Sequence, residues 1–231
     1  MLTARSKGFT LIEIIVAVTI LAIVLVSVFE IYSQIITTSK RLELARGLQQ
    51  NTRTITESIA NEVRSNGIAF ECYGTSPAAG CGGSTPMDYA TTGADTLILR
   101  GGVSDCTAGV TACFIKYYLA RTGSVTASAA CTLAERNDRT VDCYLTRQVV
   151  QGSAELSNTR LSDPLTRIKN VHFFVSGVGA RQFRNSTDTE GKVTIAFTLS
   201  LAPRQGLDSK LADSLVIPVQ TTITEKLYKS N

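Results

Sequence analysis

Hydrophobic and polar positions divide the chain into two regimes. From Phe9 to Phe29 the sequence FTLIEIIVAVTILAIVLVSVF is apolar on every side, with Glu13 as its one charge. As a helix this stretch is roughly 30 Å long at about 1.5 Å per residue, enough to cross a bilayer core. Neither Gly nor Pro occurs between Phe9 and Arg46. Beyond Tyr32 the pattern becomes amphipathic. Leu44, Leu48, Ile55, Ile59 and Val63 are spaced 4, 7, 4 and 4, which holds them on one helical face. Asn66-Gly67 is a helix-stop signal. The pattern predicts one helix from about Leu11 to Ser65, its first half in lipid or among like helices and its second half laying a stripe on a globular head. Gly47 costs about 1 kcal/mol inside a helix and marks a place for a bend.

After Gly67 the period changes. Gly, Ser, Thr, Ala and Pro dominate Gly74 to Ala94, which reads as a long loop, and Ala180 to Gly191 reads as another. Between and after them lie candidate strands at Thr96–Arg100, Phe114–Ala120, Val141–Val150, Ile168–Ser176, Val193–Leu201 and Leu215–Leu227. In the fifth, Val193, Ile195, Phe197, Leu199 and Leu201 share one face, for packing on the helix, and Thr194, Ala196, Thr198 and Ser200 share the face toward water. Pro218 places the last strand at an edge, at a bulge, or beyond the proline. Strands following one long helix give an α+β fold, with an antiparallel sheet against the helix.

Composition changes this picture little. The charge of +4, with 23 basic and 19 acidic residues, has no long basic run behind it, and Trp is absent, which argues against a dedicated nucleic-acid binder. The six cysteines, 72, 81, 106, 113, 131 and 143, all follow the helix. They include no C-x-x-C, and one His is too few to complete a zinc set, so no metal and no cofactor is expected. An even number beyond a membrane anchor fits disulfides in an oxidising compartment. Six cysteines allow many pairings; the expectation taken is nearest neighbours, Cys72–Cys81, Cys106–Cys113 and Cys131–Cys143, against the alternative of free thiols. Catalytic signatures are missing. There is no G-x-S-x-G, P-loop or H-E-x-x-H; Gly177-Val178-Gly179 lacks a third glycine; and His172 reads as a strand residue rather than a base. Asn185-Ser186-Thr187 fits a glycosylation sequon, a match common by chance. No catalytic residue is assigned.

The opening is the specific part. Arg5 and Lys7 precede Gly8, and Phe9-Thr10-Leu11-Ile12-Glu13 leads directly into the apolar run, with no A-x-A-like cleavage site after it. A carboxylate one turn inside such a run is costly unless it meets a positive group. K-G-F-T-L-I-E followed by an uninterrupted apolar helix resembles the class III signal of type IV pilins and type II secretion pseudopilins. The resemblance implies a prepilin peptidase that cuts between Gly8 and Phe9 and methylates the new N-terminal amine of Phe9. It also implies a role for Glu13 in subunit assembly, facing the Phe9 amine of a neighbouring copy. Its segments are 1–8 as leader peptide, 9–32 as transmembrane and filament-core helix, 33–66 as the amphipathic continuation, and 67–231 as a disulfide-bearing β-rich head in a type IV pilin-like fold.

The implied partners are other pilins or pseudopilins through the N-terminal helix, the peptidase, and the bacterial inner membrane before assembly. The orientation is single-pass and N-in, with the head in the periplasm and then in a cell-surface filament. Arg5 and Lys7 are nearly balanced by Lys40 and Arg41, so charge alone does not set that orientation. The stretch Gln49 to Arg64 and the late strands are similar to PilW-like minor pilins and J-type minor pseudopilins. That likeness implies a minor pilin in the priming or tip complex of a type IV pilus. The alternatives are a minor pseudopilin of a type II secretion system and a tip-exposed adhesin or DNA-uptake subunit, where contact with nucleic acid stays open.

Overall fold

The computed structural model describes residues 8, 10–73, 81, 93–102, 105–106, 113–121, 129–138, 141–176, 191–202 and 214–225. Outside them lie Phe9, the basic residues Arg5 and Lys7, most of the Gly74–Ala94 and Ala180–Gly191 loops, Gly177-Val178-Gly179 and the Asn185 sequon. The chain forms two compact units, Met1–Arg46 and Gly47–Asn231. Helix α1, Leu11–Asn66, contributes to both.

In the first unit every side chain from Leu11 to Glu43 is exposed, and Leu44 and Ala45 are half-buried. In lipid, the hydroxyls on this apolar stretch must find partners within the helix. Three do: Thr19 bonds the carbonyl of Ile15, Ser27 that of Ile23 at 3.0 Å, and Thr37 that of Ser33 at 2.9 Å. The helix is long and apolar enough to cross a membrane.

In the second unit, α1 buries Leu48, Asn51, Ile55, Ile59 and Val63. The expected stripe skips from Leu48 to Ile55; Asn51 fills the gap. Its amide donates to Thr166 Oγ1 at 2.5 Å and its carbonyl oxygen accepts from the Asp163 N–H at 3.3 Å. A polar residue is tolerated on a buried face because both ends of its amide are partnered. Gly67, at φ +74°, then ends the helix, and its N–H bonds the Val63 carbonyl at 3.2 Å.

Among the described residues seven strands follow: β1 Thr96–Arg100, β2 Cys113–Arg121, β3 Cys143–Gln151, β4 Ala154–Arg160, β5 Thr166–Ser176, β6 Lys192–Leu201 and β7 Val216–Thr224. A short helix α2, Leu133–Asn137, lies between β2 and β3. The strands make two antiparallel sheets rather than one, β1-β2-β3-β4 and β5-β6-β7. The reason lies in β4, whose residues are exposed except for a half-buried Arg160. A strand added beyond it would gain no apolar cover. β5 instead buries Ile168, Val171, Phe173 and Val175 in a second sheet.

β4 and α2 were not among the expected elements. β4 is polar and has no apolar alternation; its signal is Gly152-Ser153, the two-residue loop between the paired Gln151 and Ala154, with Gly152 at φ +61°. α2 is announced by a capping box. The Thr132 hydroxyl accepts from the Glu135 N–H, and Glu135 accepts from the Thr132 N–H at 2.8 Å. β6 alternates as expected from Val193 to Leu199, but Ser200 is buried with Leu199 and Leu201. β7 is an edge strand that runs through Pro218, paired with Thr198.

Candidate functional site

At the start of α1, Thr10 organises the first turn. Its carbonyl accepts from the N–H groups of Glu13, at 3.1 Å, and Ile14, at 3.3 Å, and its hydroxyl lies 3.4 Å from the Glu13 nitrogen. Thr10 is therefore the helix cap, and Glu13 stands three residues inside it. That position suits a carboxylate, because the unpaired N–H groups of a helix start carry partial positive charge. Glu13 and Gly8 are both exposed. From Ile14 to Phe29 no further charge follows. The site thus offers one carboxylate at the rim of an unbroken apolar cylinder. Among the described residues no basic side chain bonds Glu13, whose own N–H is held by Thr10.

Residues 3–29 match the family model of the prokaryotic N-terminal methylation motif. The chain opens with a methylation motif. This motif is typical of type IV pilins and pseudopilins. Around it the chain is α+β and pilin-like, a long apolar N-terminal helix with antiparallel sheets in the C-terminal part. The motif supports a pilin or pseudopilin subunit processed by a prepilin peptidase and associated with other such subunits, a structural role rather than an enzymatic one. The motif and its helix fit membrane anchoring and a later surface filament. No curated protein and no solved structure is significantly similar to the chain.

In the β-rich unit the cysteines pair as Cys72–Cys81, Cys106–Cys113 and Cys131–Cys143, with Cα separations of 5.5, 6.1 and 6.1 Å. Among the described residues no group of three or more His, Cys, Asp and Glu is placed to hold a metal. His172 stands half-exposed on β5 with Nδ1 3.9 Å from Asp95 Oδ1, too far for a hydrogen bond, and Asp95 is engaged by Arg136 at 3.2 Å.

Two clusters tie the end of α1 to the strands, and the hydrophobic pattern of the sequence shows neither. In the first, Arg147 of β3 reaches Glu62 of α1 at 2.6 Å and Asp105 at 2.9 Å. Burial opposes the charge on Arg147, but its bonds to Asp105 and Glu62 outweigh that and hold the guanidinium more firmly protonated than usual. Tyr117, opposite Arg147 on β2, is fully buried; burial first, and Glu62 second, push its phenol well above the ordinary range. In the second cluster, Glu225 accepts from the Ile68 N–H at 3.2 Å just past the helix end. Burial raises its carboxyl above the usual value, against the opposing pull of the Ile68 N–H and of Arg100. Its carboxylate occupies the space a side chain would need at Gly67 and at Gly191. The one signal in the sequence for this cluster is Gly67 itself.

Proposed function

We propose that this chain is a minor pilin that takes part in the priming or tip complex of a type IV pilus or related filament. The observation that carries the reading is the methylation motif over residues 3–29, running into an apolar helix whose one early charge is Glu13. The large head with three disulfides supports a minor subunit over a major one.

On this reading residues 1–8 are the leader, cut between Gly8 and Phe9. Residues 9–32 cross the inner membrane with the N-terminus inside, 33–66 continue the helix, and 67–231 form the head, held in the periplasm before assembly. The freed and methylated Phe9 amine of one subunit meets Glu13 of its neighbour. In an apolar bundle an unpaired carboxylate is heavily penalised, so only the correct stagger buries Glu13 with its partner. The test is a deletion strain complemented with wild-type or variant chain, scored for filaments and for secretion. Loss of surface filaments with secretion intact supports the pilus reading; filaments intact with secretion lost assigns the chain to a pseudopilus. Normal filaments that no longer adhere or take up DNA give it a binding role at the tip.

A further inference from the structure

The three disulfides are unequal. Cys72, Cys81, Cys131 and Cys143 are 0 to 3% exposed, whereas Cys106 and Cys113 are both half-buried and within reach of solvent. The reachable bond also sits beside the first cluster. Asp105, next to Cys106, is one of the two carboxylates on Arg147. Its N–H bonds the Gly102 carbonyl at 3.1 Å, and the Gly101 N–H bonds the Cys113 carbonyl at 2.8 Å. Gly101 lies flat against both sulfurs, where any side chain would collide with them. A side chain at Gly102 would come within 2.9 Å of Asn66 Oδ1, on the last residue of α1. The disulfide, Gly101-Gly102 and the helix end are thus stacked in direct succession. Arg147 bridges from Asp105 back to Glu62, one turn earlier in α1.

We propose that Cys106–Cys113 is a redox-responsive site, opened by a dithiol ahead of the other two bonds, and that its opening loosens the last turns of α1. The reaction is thiol–disulfide exchange. A thiolate of the dithiol attacks one sulfur, the S–S bond breaks, and its electron pair passes to the other sulfur, which takes a proton. The second thiol of the reductant then resolves the mixed disulfide. Cys106 and Cys113 end as thiols, having gained two electrons and two protons, and the reductant ends as a disulfide. Access governs the selectivity, because the attacking thiolate must approach along the S–S axis. The consequence follows from placement. Without the crosslink, Asp105 is no longer held at Arg147, a partly buried guanidinium loses one of its two carboxylates, and the Gly101-Gly102 segment is freed from the helix end.

The test uses the full chain in detergent with limiting dithiothreitol, followed by alkylation and peptide mapping over time. Cys106 and Cys113 are expected to be labelled roughly tenfold faster than the other four. Hydrogen exchange on the selectively reduced protein is expected to speed up about three- to tenfold at the amides of Glu62 to Gly67, and not in β6. Asp105→Asn, which keeps the disulfide, is expected to raise exchange at the same amides. Equal labelling of all six cysteines overturns the proposal. So does unchanged exchange in α1 after selective reduction, or an Asp105→Asn protein that exchanges like the wild type.

Discussion

Single residues at the two ends of α1 carry different kinds of electrostatics. Glu13 is exposed at the rim of an apolar helix, and the proposed function gives it a partner in another subunit. Glu13→Ala is expected to leave the folding of the head unchanged and to abolish most filament assembly, measured by sheared-filament yield against whole-cell protein; wild-type yield would remove the pairing mechanism. Glu225 is buried, and its role lies in this fold. Its folded pKa is raised by burial, so the folded protein holds that proton more tightly than the unfolded chain does. The stability it contributes is complete below the ordinary carboxyl value of 4.5 and is lost as pH rises through its folded value. Glu225→Gln keeps an acceptor for Ile68 and removes the charge. Denaturant titrations across that window are expected to show a flatter pH dependence than wild type and equal or greater stability at neutral pH. Of these two residues, Glu13 was legible in the sequence because a charge inside an apolar run is conspicuous. Glu225 was not, because its partners, Ile68 and Arg100, lie far from it in sequence and nothing local marks a carboxylate after β7 as buried.

Whole elements were legible where their period was strong. Helix α1 shows itself through its apolar run and the 4, 7, 4, 4 stripe, β6 and the second half of β5 through alternation, and β1 through a short apolar run. β4 is edge-exposed and has no apolar face, so its existence depends on the Gly152-Ser153 turn and on β3 beside it. The split into two sheets follows from which strands have a face worth burying, a tertiary matter that single-strand patterns do not encode. The two halves of α1 respond differently to truncation. Ile59 is fully buried and Ile20 is 59% exposed. Ile59→Ala is expected to cost the head about 2–5 kcal/mol in denaturant unfolding, with Ile20→Ala leaving that transition unmoved. An equal effect of both would contradict the division of labour along the helix. At α2, Thr132→Ala removes the capping box and is expected to cost about 1 kcal/mol in the same measurement.

The molecule as a whole comprises two compact units of different character. In the first unit the apolar side chains from Leu11 to Leu42 are uncovered in the single chain, and Gly47–Asn231 has a core of its own with three crosslinks. The first needs lipid or other helices, and the second needs an oxidising compartment. The proposed function meets both needs: a chain anchored in a membrane and later drawn into a filament, with cleavage at Gly8 as the proposed step between the two. The most direct test is the N-terminus of the protein isolated from its native envelope, read by mass spectrometry of the first peptide. The account predicts a chain that begins at Phe9 with a methylated amine. A chain that keeps Met1, or one that starts beyond Ile31, contradicts it.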